Sequence, residues 1–248
     1  METICFICDK NLESILCCLF YSFTESKIPC VITDGKTFQP SVDAEIIKIG
    51  YNRSESERVK TALIKYSGKN VITSLSDCLL SGSDNAALIT FNYARRILEK
   101  KKDISGALSD KAVSDFFFEL QKVYRERHRI YGFLRFIETE SGVLYAPYSP
   151  DNDITALIGP HFLSRLACPF VIHDIKRGTV TISDGKNIKT VNTDLVAEIK
   201  LSENEKVFQS LFKSYYREIS IEERKNKRLQ DNCMPLRYRK FMTETYED

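Results

Sequence analysis

The residue types best suited to acid–base chemistry lie in one stretch, YSPDNDITALIGPHFLSRL, from Tyr148 to Leu166. Asp151, Asp153 and His161 could transfer protons or hold a metal ion. They could equally have structural roles, because aspartate often caps a helix and histidine often hydrogen-bonds within a core. Gly159-Pro160 is expected to break the helix, which would place His161 near a new helix N-terminus and favour neutral imidazole. The three residues are candidates for a catalytic set if they converge in one pocket.

Positive charge is concentrated in two segments, although the formal net charge of the 248-residue chain is only +2. The first basic cluster has a net charge of +4 and contains Lys122, Arg125, Arg127, Arg129 and Arg135, with Glu126 and His128 among them. The second basic cluster is also +4, and its cations are Arg217, Arg224, Lys225, Lys227, Arg228, Arg237, Arg239 and Lys240. The rest of the chain is therefore net acidic. This segregation suits a phosphate-binding face, although a solvated surface or a helix C-terminus would also explain charge runs.

Arg135 is expected to share a strand face with Tyr131, Phe133 and Ile137. An arginine among aromatic residues must be paired, stacked or bound to a ligand, because an unpaired buried charge is costly. Of these, we favour a buried pair with a carboxylate.

Composition places the chain among ordinary globular proteins, with 43% hydrophobic and 28% charged residues. No run approaches the ~20 apolar residues that cross a bilayer, so no membrane association is expected. Most of the eight cysteines lie in apolar stretches, which favours free thiols and a cytoplasmic location. The CFIC motif, Cys5 to Cys8, lacks a second ligand pair, and neither a metal site nor a cofactor is predicted.

The elements that must position these residues alternate between helical and strand periodicity, which predicts an α+β fold. Residues 1–82 form a small N-terminal α/β region, and the turn residues of SGSD, Ser81 to Asp84, separate it from residues 83–248, although the two could pack as one unit. In the second part we expect a helix that ends in RERHR at Arg129, then antiparallel strands flanked by helices. Asp184-Gly185 marks a hairpin, and the chain ends in a helical tail.

Four ordered motifs carry a resemblance to a known family: RIYGFLRF, YAPYSPDNDITALIGPHFLSRL, FVIHDIKRG and LFKSYYREISIEERKNKRLQDNCMPLRYRKFMTE. Together with the opening FICDKNLESILCCLF, they resemble the bacterial family of probable DNA metabolism proteins. That family's C-terminal domain of unknown function also occurs fused to uracil-DNA-glycosylase-like domains. The stand-alone form is typically encoded beside a radical-SAM protein with a helix-hairpin-helix DNA-binding element. The chain departs from the family where tryptophan is common, at Phe170, Phe212 and Arg239.

The resemblance implies a DNA repair or modification setting without naming a reaction. Our first hypothesis is an accessory protein that binds DNA, a radical-SAM partner, or both. Its expected nucleic-acid contacts are Arg125, Arg127, His128, Arg129, Arg135, Arg165, Arg224, Lys225, Arg228, Arg237, Tyr238, Arg239 and Lys240, with Tyr131 as a further stacking face. One alternative is an enzyme acting on a nucleotide or damaged base through Asp151, Asp153 and His161. Another is a protein-interaction module without DNA binding.

Overall fold

The computed structural model describes residues 3–35, 43–193, 199–219 and 226–245. The chain divides into two compact units, Met1–Tyr124 and Arg125–Asp248, which are described separately. The division lies within helix α5, Lys111–Phe133. The domain boundary expected between residues 82 and 83 stays a prediction.

The first unit combines a small parallel sheet with helices. Its strands are β1 Thr3–Ile7, β2 Val31–Thr33 and β3 Ala44–Lys48, in the order β2-β1-β3. Its helices are α1 Leu12–Thr24, α2 Arg53–Ser67, α3 Asn70–Leu79, α4 Ala86–Lys100 and the first part of α5. Asn11 directly precedes the helical pattern of α1, and asparagine there predicts an N-cap. The prediction is confirmed, since the Asn11 side chain accepts a hydrogen bond from the backbone N–H of Ser14 at 2.8 Å. Phe6 of β1 and Leu16 of α1 are buried in the core.

The second unit contains a five-stranded mixed sheet in the order β4-β5-β6-β7-β8. The strands are β4 Ile137–Glu138, β5 Leu144–Tyr148, β6 Pro169–Asp174, β7 Thr179–Asp184 and β8 Ile188–Asn192. Strands β5 and β6 are parallel, and helix α6, Thr155–Leu166, connects them; the other neighbours are antiparallel. The described tail helices are α7 Glu203–Glu218, α8 Lys227–Cys233 and α9 Leu236–Arg239, followed by a 3₁₀ turn, Thr243–Thr245. The predicted α+β class is confirmed.

The end of helix α5 corrects one expectation. We predicted a strand from Ile130, but the helix continues to Phe133 and only Ile137–Glu138 form a strand. Ile130, Phe133 and Leu134 have i, i+3, i+4 spacing, so they fit a helix as well as a strand. Ile130 and Leu134 are buried, which favours the helical choice. Arg135 consequently follows a helix and does not lie in a strand.

Helix α6 corrects a second expectation, because it runs unbroken through Pro160. Proline removes one hydrogen bond to the carbonyl four residues earlier, at Ala156. Both residues are exposed, so water can satisfy that carbonyl. His161 therefore lies inside the helix, and the argument for neutral imidazole at a helix N-terminus does not apply.

The predicted hairpin at Asp184-Gly185 is confirmed. The Asp184 carboxylate accepts hydrogen bonds from the backbone N–H groups of Asn187 at 2.6 Å and Lys186 at 2.8 Å. These bonds stabilise the ionised form and lower the pKa of Asp184 to about 2. Gly185 has φ +88°, a conformation that glycine adopts without strain.

Candidate nucleic-acid interface

The tail of the second unit packs along the last turns of helix α5. The Tyr238 hydroxyl donates a hydrogen bond to Glu126, and its ring centroid lies 6.0 Å from that of Phe133. Further along, Nε of Arg135 donates to Glu244 at 3.1 Å. Two segments about a hundred residues apart in sequence are therefore neighbours. Arg237, Arg239 and Lys240 of the second basic cluster flank this contact and so lie close to the α5 end that carries Arg125 and Arg129 of the first.

Glu126 is the centre of that packing, although it lies in the middle of the basic RERHR motif. Glu126 is only 4% exposed. Besides the bond from Tyr238, its carboxylate accepts hydrogen bonds from the backbone N–H groups of Asp151 and Asn152, each at 2.8 Å. It also accepts one from the Asn152 side-chain amide at 2.6 Å. A buried carboxylate needs such donors, because desolvation without them is costly. Sequence reasoning counted Glu126 only as a charge; its position on the buried stripe of α5, three residues after Val123, was the available signal.

Two arginines hold the loop that carries Asp151. Nη2 of Arg237 pairs with Oδ2 of Asp151 at 2.6 Å. The Arg237 side chain is 43% exposed and that of Asp151 is 56% exposed. Arg177 donates to the carbonyls of Pro150, at 3.0 Å, and Asp151, and to the buried carboxylate of Asp174 at 2.8 Å. Burial raises the pKa of Tyr238, and its hydrogen bond to Glu126 raises it further, so the phenol remains a donor. The loop is therefore fixed by charge-assisted hydrogen bonds from both sides.

The predicted cations have different environments. Several have exposed residues at the surface: Arg125, His128, Arg129, Arg165, Arg228, Arg237 and Lys240. Arg127 is half-buried. Arg239 pairs with Asp231 at 2.6 Å and donates to the Met234 carbonyl at 3.2 Å. Arg224 and Lys225 lie outside the described residues.

Arg135 has the environment that we favoured for it. Its pairing with Glu244 leaves 28% of the arginine side chain and 5% of the glutamate side chain exposed. Its guanidinium also donates to the Gly132 carbonyl at 2.7 Å. The charge of Arg135 is therefore committed to holding the tail against α5.

The two tyrosines expected to offer stacking faces are occupied in this structure. Tyr238 is 2% exposed, so its ring is not accessible to a base. Tyr131 stacks on His161, with centroids 4.0 Å apart and planes inclined by 23°. The aromatic residues of this surface serve packing, and its outward chemistry is that of the cations.

Asp151, Asp153 and His161 occupy a loop and a helix of the same unit. Asp151 pairs with Arg237 and does not cap α6, which begins after Ile154 without a side-chain cap. His161 is half-buried against Tyr131. A small pocket nearby is lined by Ile130, Phe133, Leu134, Arg135, Pro147, Tyr148, Tyr238 and Phe241, so none of the three candidates lines it. Within the described residues, no group of three or more His, Cys, Asp or Glu side chains could hold a metal ion.

Comparison with known protein families matches a domain of unknown function, DUF4130, over residues 84–244, which is more than half of the chain. The chain belongs to the DUF4130 family. Comparisons with curated proteins and with solved structures found no match. The DUF4130 match includes the whole network of Glu126, Asp151, Arg237, Tyr238 and Glu244. No helix among the residues described has the length and apolar character needed to cross a membrane.

The structure explains one difference from the family that the motifs resemble, the phenylalanine at position 170. Phe170 stands where tryptophan is common, and here it is fully buried, with its ring 5.8 Å from that of Phe136 at an interplanar angle of 78°. An edge-to-face contact in a core needs a ring but no indole N–H. Phenylalanine therefore fills a packing position in this DUF4130 chain.

Proposed function

We propose that this DUF4130 protein is a cytoplasmic accessory protein of DNA repair or modification, which binds DNA and presents it to a radical-SAM partner. The contact surface is the exposed side of the α5 end together with the adjoining tail. The setting and the partner follow from the resemblance of the ordered motifs, and the surface follows from the packing.

The observation that carries the proposal is the meeting of the two basic clusters. Arg125 and Arg129 are four residues apart on α5 and share its exposed side with His128. The bond from Tyr238 to Glu126, and the pair of Arg237 with Asp151, hold the Arg237 to Lys240 part of the second basic cluster beside them. Several cations on one surface are what a phosphate backbone requires.

The end of α5 also leaves room for a phosphate to approach the chain. Gly132 is exposed, and a side chain built there would have no atom within 4 Å. It follows Arg125 and Arg129 along the same helical side, at i+7 and i+3. A polyanion can therefore reach the arginines without meeting a bulky residue at this turn.

Binding of fluorescent single- and double-stranded oligonucleotides, measured by anisotropy against salt concentration, tests the DNA contact. The logarithm of the association constant should fall linearly with the logarithm of salt, by about 0.9 per phosphate contact on duplex DNA and about 0.7 on single strands. The double variant Arg125→Ala with Arg129→Ala should make this slope shallower, by the amount that corresponds to roughly two lost phosphate contacts. Both side chains are exposed, so the folded state should be retained.

A charge-matched control lies on the β7–β8 hairpin. Lys186→Ala with Lys189→Ala also removes two exposed cations, from a different surface. This control should leave affinity and slope nearly unchanged. A flat salt dependence of the unmodified protein, or equal losses in both double variants, would refute a DNA site on α5.

The partner is tested by co-expression with a radical-SAM protein of the kind that the resemblance associates with this family. We expect the two proteins to co-purify, and the Arg125→Ala/Arg129→Ala variant to retain the partner while losing DNA. A partner that co-purifies with a chain that never binds DNA would favour a pure interaction module.

A further inference from the structure

Helix α7 has two different faces. Its inward face contains Glu205, which is 8% exposed and accepts the backbone N–H of Glu138 at 3.0 Å. Gln209, one turn later, donates to the same carboxylate at 2.8 Å. Glu205 and Gln209 therefore attach the helix to its unit through polar contacts, while several of its large apolar residues remain exposed.

The outward face has an uninterrupted apolar stripe. Four large hydrophobic side chains of α7, and Ile219 directly after it, are each more than half exposed: Val207 at 61%, Phe208 at 65%, Leu211 at 63%, Tyr215 at 59% and Ile219 at 55%. Their spacing of three and four residues places them on one side over about three helical turns. Isolated exposed hydrophobic residues are ordinary, but a contiguous stripe of this length is typical of a protein–protein contact.

We propose that this stripe is the interface of a homodimer, in which α7 of one copy packs antiparallel against α7 of a second copy. An isologous contact needs a self-complementary surface. Leu211 lies between Phe208, three residues before it, and Tyr215, four residues after it. With Leu211 near the two-fold axis, Phe208 of one copy faces Tyr215 of the other.

Charge favours the antiparallel arrangement. Glu218 is the exposed carboxylate at the end of the stripe. In an antiparallel pair it lies opposite the first turn of the other α7, where the exposed Glu203 is already paired with Lys206 at 2.7 Å and helix N–H groups attract a negative charge. In a parallel pair the two Glu218 carboxylates would face each other and repel.

The area fits a dimer of modest affinity. The five side chains expose roughly 100–140 Å² apiece, or about 600 Å² per copy. Two copies would bury about 1,200 Å² in total, which is the lower end for specific protein interfaces.

Sedimentation equilibrium of the full chain tests the dimer. We expect a concentration-dependent dimer that Leu211→Asp weakens roughly tenfold or more. Leu229→Asp is the matched control, since Leu229 is similarly exposed, at 59%, but lies on α8. A chain that stays monomeric, or a dimer that Leu211→Asp leaves intact, would overturn the proposal.

Cross-linking tests the position of the axis. Exposed Cys30 and Cys233 are first replaced by serine, and cysteine is then introduced by Leu211→Cys or, as a control, Leu229→Cys. Oxidation should give a covalent dimer with Leu211→Cys and little with Leu229→Cys. Equal cross-linking of the two variants would mean that Leu211 is not at the axis.

Discussion

At the scale of single residues, the two glycines of the α5 end and of α6 occupy opposite environments. A methyl group at Gly132 would meet no atom within 4 Å. At Gly159 it would lie 2.3 Å from Cδ1 of Ile188 and 2.9 Å from Cγ2 of Thr181. Gly159 therefore lets α6 lie close to β7 and β8, whereas Gly132 has no packing role.

Alanine at these two positions should have effects of opposite sign. Gly132→Ala should raise the free energy of unfolding by up to about 0.5–1 kcal/mol, because glycine costs backbone entropy in a helix. Gly159→Ala should lower it by about 1–3 kcal/mol, because Thr181 is branched and cannot easily move away. Urea unfolding of both variants measures the two effects, and a shared sign would contradict this account.

His173 should make the stability of the fold depend on pH. Burial lowers its pKa below the usual 6.5, and its Nδ1 lies 2.8 Å from the Tyr145 hydroxyl. The unfolded chain therefore binds a proton at higher pH than the folded chain does. The contribution of His173 is present above about pH 6.5 and is lost as pH falls through that value towards the lower folded pKa.

Replacing the imidazole removes this contribution. Between about pH 7.5 and 5.5, the free energy of unfolding of His173→Phe should change less with pH than that of the unmodified protein. Denaturant titrations at several pH values provide the comparison. Parallel curves for the two proteins would assign the pH dependence to other groups.

At the scale of elements, the tail is anchored by residues other than those its pattern suggests. The tail sequence has apolar residues at Leu229, Leu236 and Phe241, and this pattern predicts that these three side chains face the unit. Leu229 is 59% and Leu236 68% exposed, whereas Phe241 is half-buried and Tyr238 and Met242 are buried. Tyr238 takes the inward position because its hydroxyl satisfies the buried Glu126 carboxylate.

The tail anchor predicts a large effect from a small change. Tyr238→Phe keeps the ring and removes the donor to Glu126, which should cost about 1.5–3 kcal/mol because the acceptor is charged and buried. Leu236→Ala should change stability by less than about 0.5 kcal/mol, as expected of an exposed position. Thermal and urea unfolding compare the two variants, and a larger loss for Leu236→Ala would restore the original expectation.

At the scale of the whole molecule, charge segregation matters more than net charge. The sequence pI is about 8.0, so the chain becomes net negative above that pH. Arginine and most lysine side chains remain charged at pH 9. The basic surface should therefore persist when the molecule as a whole has reversed its sign.

This gives a pH test of where DNA binds. At constant ionic strength, oligonucleotide affinity should fall only modestly between pH 7 and pH 9, because the local cations are unchanged. The Arg125→Ala/Arg129→Ala variant should remain weak across the range. An affinity that collapses as pH passes 8 would indicate that net charge, and not the α5 surface, governs binding.

Local chemistry in the sequence was sufficient for much of the fold. The Asn11 cap and the Asp184-Gly185 turn depend on contacts between near neighbours, and both were predicted correctly. Helix α5 beyond Arg129 and the continuity of α6 through Pro160 were not, because burial and solvation decided between two locally acceptable conformations. The candidate cations were visible as clusters, but their meeting depends on contacts between residues about a hundred positions apart.

The sequence by itself determined the α+β class and the charge segregation, since each follows from periodicity or composition. Only the tertiary structure decided which apolar residues of α7 are exposed, and which charges are already paired. Glu126 and Arg135 look in sequence like members of charged runs, yet each is held by a partner about a hundred residues away. The physical reason is that an ionic pair or a hydrogen bond depends on distance in space, which one-dimensional spacing reports only within a single helix, strand or turn.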